Sequence, residues 1–72
     1  SGPVDRGDIY TIEKHIEALD AKISESKSDQ FKLLRANYIV QSLSLLEVVK
    51  AKYGKLSKDH LKIEKYLKDK LV

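Results

Sequence analysis

The sequence predicts an all-α fold: a small up-down-up bundle of three helices with a long, very apolar central helix. Three observations carry this reading. Turn residues are scarce, because Gly2, Pro3 and Gly7 fall in the first seven residues and Gly54 is the sole breaker in the body. Apolar residues recur three and four positions apart, the spacing of one helix face. The two polar connections between the apolar segments are short, which makes neighbouring helices antiparallel.

The first helix is predicted over about 8–24. Ile9, Ile12, Ile16, Leu19 and Ile23 form a narrow seam, and Asp8 stands ahead of it as an N-cap whose carboxylate accepts from a free backbone N–H. Ser24 to Asp29 is polar and serine-rich, with Ser26 and Asp29 at capping-box spacing. It reads as a turn, although neither Gly nor Pro forces a break and one continuous helix is the other reading.

The second helix is predicted over 29–53. Its apolar residues are too many for one stripe. Phe31, Leu34, Tyr38, Leu45, Leu46, Val49 and Tyr53 fall on one face, and Leu33, Ala36, Ile39, Val40 and Leu43 on the adjoining one. Between Ala36 and Leu46 there is no charge, which suits a helix nearly surrounded by protein. Gly54 supplies the left-handed stop, and Lys50 and Lys52 suit the negative helix end. The third helix is predicted over 58–71, with Ser57 as N-cap, Leu56 and Leu61 as a hydrophobic staple, and a stripe of His60, Ile63, Leu67 and Leu71.

A chain of 72 residues and 8.2 kDa, 42% hydrophobic and 35% charged, is one small soluble domain, expected to span 8–72 behind a flexible tail over 1–7. It is too small for a large internal active-site cavity. Without Cys it has no disulfide framework, thiolate nucleophile or Cys-based zinc site, which favours an intracellular origin, cytoplasmic or nuclear. No apolar run reaches the ~20 residues of a membrane span. Ser1-Gly2-Pro3 reads as the remnant of a cleaved tag, so the expectation is a module excised from a larger protein.

Catalytic constellations are missing from the sequence: no Gly-rich phosphate loop, no nucleophile elbow, no metal-ligand spacing. His15 and His60 read as structural or surface residues, and Glu13 and Glu17 as a solvated face, since no apolar pocket adjoins them to split their pKa values. The expectation is a protein that is no enzyme and takes no cofactor or metal.

Charge is unevenly distributed. Residues 1–49 carry six basic and eight acidic side chains, net −2, and residues 50–72 carry eight lysines and three acids, net +5. Lys55, Lys58, Lys62, Lys65 and Lys68 are candidates for neutralising phosphates or an acidic partner segment, against the plainer reading of a solvated face. Lys lacks the bidentate fork of Arg, so sequence-specific nucleic-acid reading is disfavoured. The first helix is acidic on its outer face through Glu13, Glu17, Asp20 and Glu25, and the two faces can attract each other across the bundle. Tyr53 and Tyr66 read as core caps before they read as base-stacking rings.

The most informative feature is an apolar surplus on the central helix at Leu33, Val40 and Val48. It reads either as a groove for a protein partner or as a face that a tilted third helix covers. Tyr10 and Tyr66, off their helices' stripes, extend the candidate surface. The functional expectation is a non-enzymatic protein-protein interaction module that docks a partner's amphipathic helix. Weak, sequence-independent binding of nucleic acid or an anionic surface is the alternative, and a homodimer through the central helices is a further form.

Overall fold

The computed structural model describes residues 2–26 and 28–71. Ser1 of the expected tag remnant, Lys27 of the expected turn and Val72 at the end of the expected domain lie outside them. The chain is all-helical over the described residues, with four helices: α1 (Pro3–Arg6), α2 (Ile9–Glu25), α3 (Gln30–Tyr53) and α4 (Lys58–Leu71).

The segment expected to be a flexible tail is instead helical from Pro3 to Arg6. Proline at the first position fixes φ where no N–H is needed, and Gly7 closes the turn in the left-handed region at φ 71°. The Asp8 N–H donates to the Pro3 carbonyl at 2.8 Å and the Gly7 N–H to the Val4 carbonyl at 3.1 Å, the paired bonds of a Schellman stop. What holds this turn on the body is Val4, which is 3% exposed within the core cluster. Pro3 and Gly7, four residues apart, are the local signal for it, but the burial of Val4 depends on distant residues.

The α2 N-cap is the expected one. Asp8 accepts from the Thr11 backbone N–H at 3.2 Å and from the Thr11 hydroxyl at 2.6 Å, and the hydroxyl is the main cause holding its carboxyl below the usual aspartate range. Ser26, in extended backbone, ends α2 rather than capping α3. Its hydroxyl accepts from the Ser28 N–H, and the Ser28 hydroxyl accepts from the Gln30 N–H, so two serine side chains satisfy the free donors of the turn. Gly54 ends α3 at φ 84°, its N–H donating to the Lys50 carbonyl at 2.7 Å. Ser57 opens α4 by accepting from the His60 N–H at 3.2 Å.

The core draws equally on the three longer helices. Ile12 and Ile16 of α2, Ile39 and Leu46 of α3, and Ile63 and Leu67 of α4 are all at most 1% exposed. Each such side chain is worth about 1.5–3 kcal/mol against exposure. Helix α3 packs on both α2 and α4, and α1 lies across α2 and α3. His15 meets Tyr38 while Asp20 meets Arg35, so contacts advance along α2 as they recede along α3 and these two helices run in opposite directions.

Two polar contacts hold the ends. At one end Arg35 donates to Asp20 at 2.7 Å and to the Lys70 carbonyl at 3.3 Å, tying α3 to α2 and to the last turn of α4. At the other, His60 Nε2–H donates to the Asp5 carbonyl at 2.9 Å, which leaves Nδ1 to accept from the Ser57 hydroxyl at 2.7 Å. His60 is thus a structural residue joining α4 to α1.

A Cβ added at Gly7 meets the Asp59 Cβ at 3.0 Å, whereas one at Gly54 meets nothing within 4 Å. Gly54→Ala therefore carries the left-handed strain alone, about 1 kcal/mol, and Gly7→Ala carries that strain and displaces α1 from α4. Chemical denaturation should rank Gly7→Ala as the more destabilising, and equal losses would show that α1 is not packed there. Because the Asp8 pKa lies below its unfolded value, the stability it contributes is present above that value and is lost as pH falls through the folded pKa. Asp8→Ala should lower the thermal midpoint at neutral pH and remove part of the acid-side loss seen below about pH 4 in the parent chain.

Candidate functional site

Helix α3 is the longest element, and its buried residues Ile39, Ser42, Leu46 and Val49 share one side. Ser42 belongs to that side, in place of Leu34, Leu45 and Tyr53, which the sequence pattern puts on the main apolar face. These three are 45%, 52% and 60% exposed. Ser42 takes this place where α1 meets α3. Val4 of α1 and the half-buried Tyr38 crowd this flank of α3, and a small hydroxyl that bonds Tyr38 fits there.

The opposite face of α3 is exposed and apolar. Leu33 is 70% exposed, Val40 52% and Val48 60%, which places all three sequence candidates from the central helix in solvent rather than under α4. On a helical wheel they share a sector with Asn37 and Ser44, with Gln41 at its edge. The Ser44 hydroxyl donates to the Val40 carbonyl of its own helix at 3.0 Å, so it needs no other partner when covered. Leu34 and Leu45 widen the stripe on one flank. The uncharged stretch from Ala36 to Leu46, which the sequence reads as a helix nearly surrounded by protein, contains the exposed Val40 and Leu45 but not Leu33, Leu34 or Val48.

Along that flank runs a cavity of about 270 Å³ between α1 and α3, walled by Pro3, Val4, Tyr38, Ser42, Leu45 and Val48. His15 hydrogen-bonds the Tyr38 hydroxyl at 2.9 Å and meets its ring edge-on at 5.5 Å. Burial raises the Tyr38 pKa, opposed by the Ser42 hydrogen bond, so the phenol stays neutral across the physiological range. The cavity is a mostly apolar slot, suited to an aliphatic side chain, with Asp5, His15 and Gln41 also in its lining. A shallower groove along Gln41, Ser44, Leu45 and Val48 continues it over the α3 surface.

The remaining candidates are not brought to this face. Tyr10 is 66% exposed on the outer side of α2, with the Lys14 ammonium 5.2 Å from its ring centre. Tyr66 is half-buried against the core between α2 and α4. Its pKa is raised first by burial and then by Glu13, Glu17 and Asp20 of α2. The Tyr53 ring is 60% exposed beneath Lys52 rather than capping the core.

On α4, Lys65 bridges Asp69 at 3.9 Å and Lys68 bridges Glu64 at 3.7 Å, while Lys55, Lys58 and Lys62 are exposed. The half-exposed Leu61 sits among them. The acidic side chains of α2 act on Tyr66, and the ion pair described between α2 and another long helix is Asp20–Arg35. Among the described residues no group of three or more His, Cys, Asp or Glu converges as a metal site, and no helix is long and apolar enough to cross a membrane.

Comparison with protein-family models, curated proteins and solved structures gives no match for this chain. The α3 surface therefore has to be read from its own physical chemistry.

If the α3 face lies outside the core, truncation there is cheap. Leu33→Ala, Val40→Ala and Val48→Ala should each change unfolding free energy by less than about 0.5 kcal/mol, against about 2–5 kcal/mol for Ile39→Ala one position away from Val40. Urea unfolding of the four variants decides this, and a large loss at Val40 would place that residue in the core.

Proposed function

We propose that this chain is a non-enzymatic protein-protein interaction module that docks an amphipathic helix of a partner on the outer face of α3. In this reading α2, α3 and α4 form an up-down-up bundle whose apolar-rich middle helix serves two surfaces, one inward and one outward. The observation that carries the proposal is the exposure of Leu33, Val40 and Val48 on one side of α3, flanked by Leu34 and Leu45, with Glu47 the charged neighbour of Val40 and Val48. Apolar side chains exposed singly need no explanation, but five on one side of a single helix, interleaved with neutral Asn37 and Ser44, support a docking role.

A docked helix would gain mainly by burying its own apolar stripe, read as anchors three, four and seven residues apart. The slot beside Tyr38 would take one aliphatic anchor, and the nearby α1 backbone makes its mouth a fixed shape. Fixed polar and aliphatic walls favour a partner that presents one protruding Leu or Ile at that point.

The lysine-rich α4 supports a second reading, weak binding of nucleic acid or an anionic surface, because Lys55, Lys58 and Lys62 are exposed. Lys65 and Lys68 spend part of their charge within the helix, which weakens it.

The test is to select helical peptides displayed as a library on the parent chain, then measure their affinity for Val40→Asp and for Lys58→Glu/Lys62→Glu. The docking proposal expects at least a tenfold loss, about 1.4 kcal/mol, for Val40→Asp at unchanged helicity, and little change for the charge reversals. Steep salt dependence with the loss confined to the lysine variants would instead establish the second reading.

A further inference from the structure

The slot between α1 and α3 is a gap in the packing. At about 270 Å³ it is large for a small domain, whose interior holds few voids bigger than a water molecule. Its two walls differ in kind. One is α3, a helix of 24 residues anchored in the core by its other side, and the other is α1, a single turn of four residues. A helix that short does not hold its shape in water, so α1 keeps its form only while it is seated on the body.

Few contacts seat it. Val4 is the buried side chain that α1 contributes to the core. The His60 Nε2–H donates to the Asp5 carbonyl at 2.9 Å, and Gly7 lies close against Asp59 and His60 of α4. Gly2 and Pro3 front the slot instead, and Pro3 remains part-exposed there. The joint to α2 is Gly7 itself, at φ 71°, a residue whose backbone can take up a change in the angle of α1.

We propose that α1 is a lid on this slot, held down by a branched aliphatic group inserted between α1 and α3. Such a group touches Pro3 and Val4 on one wall and Tyr38, Leu45 and Val48 on the other. It gains both sets of contacts only while α1 is seated, so its binding shifts α1 toward the seated state. Coupling of this kind is reciprocal, and whatever loosens α1 weakens the hold on the group. The occupant is neutral: the Tyr38 hydroxyl is already bonded to His15 at 2.9 Å and to Ser42, and Asp5 in the lining disfavours an acidic group. The lid deepens the docking reading above, on which it rests for its natural occupant, the aliphatic anchor of the partner helix.

Two amides report the lid directly. The Gly7 N–H donates to the Val4 carbonyl and the Asp8 N–H to the Pro3 carbonyl, and both bonds are lost when α1 unwinds. In amide-exchange NMR these two should exchange faster than the core amides of Leu46 and Ile63. The probe is 2-methylpropan-1-ol, the branched end of a leucine side chain carrying one hydroxyl. Titrated into the parent chain, it should shift the Leu45 and Val48 methyl resonances and slow exchange at Gly7 and Asp8 by about fivefold. His60→Ala removes a tether of α1 outside the slot. It should speed exchange at both amides and weaken the alcohol, and the helical peptides selected on the parent chain, by about the same factor. Gly7→Ala loosens α1 from the α4 side and repeats the test should His60→Ala fail to fold.

Methyl shifts at Leu45 and Val48 with unchanged exchange at Gly7 and Asp8 overturn the lid and leave the docking reading standing. So does a parent chain in which these two amides exchange as slowly as those of Leu46 and Ile63, because α1 is then a fixed part of the core. An affinity untouched by the loosened variants also overturns it. If neither the alcohol nor the peptides reach the slot, the lid fails, and the docking reading then stands or falls on whether Val40→Asp weakens the peptides.

Discussion

The constraint on which the rest of the structure depends is that three helices of unequal length share one small core. Two fully buried side chains from each of α2, α3 and α4 meet along a single line, and α3 exceeds α2 and α4 in length. Two neighbours with narrow stripes cover one side of α3 and leave the other. The short α1 extends the cover by one turn, through Val4, but reaches the flank of α3 rather than its outer face. An apolar surplus on the middle helix is what remains when the core has been filled.

The polar contacts at the two ends determine alignment more than they add stability. Arg35 joins three helices at once, with one bond to a carboxylate and another to a free carbonyl of the last turn of α4. A charge-assisted bond of this kind is worth more than an exposed lysine pair such as Lys14–Glu17, because the Arg35 side chain is 24% exposed and that of Lys14 is 55%. At the other end His60 accepts from a side chain in its own cap and donates to Asp5, so the start of α4 and the end of α1 are set relative to each other. Each contact requires the helices to stop where they do. The Asp8, Ser57 and Gly54 caps and the two end contacts therefore specify the same register.

Most of the helical layout was legible in the sequence because its determinants are local. The α2 seam, the Asp8 cap, the Gly54 stop and the Ser57 cap involve residues within a turn of one another, and each lies where the spacing predicts. The failures are long-range. Val4 is part of the core only because α2 and α3 come together beneath it, and no pattern within 1–7 carries that information. The allocation of α3 residues failed for the same reason. Its apolar residues are spread around the helix, so periodicity gave no preferred side, and Leu34, Leu45 and Tyr53 could not be separated from Leu46 and Val49 without knowing where the neighbouring helices lie. Leu33, Val40 and Val48 were legible as surplus and Tyr66 as a core cap, whereas Tyr53, read in the same way, is exposed because no neighbouring helix covers the end of α3 there.

The composition of the outer α3 face differs from that of the outer faces of α2 and α4. A surface selected for solubility alone would carry charge, as the outer faces of α2 and α4 do at three- and four-residue spacing. The exposed side of α3 instead keeps Asn37, Gln41 and Ser44 as its polar residues through the uncharged stretch, all neutral and able to be covered without burying a charge. Lys32, Lys50 and Lys52 lie toward the ends of α3, and Glu47 is the charge that stands beside Val40 and Val48 on the exposed side. One helix thus combines exposed apolar and neutral polar residues on its outer side with the buried residues that fill the core on the other, produced by the same 24 residues.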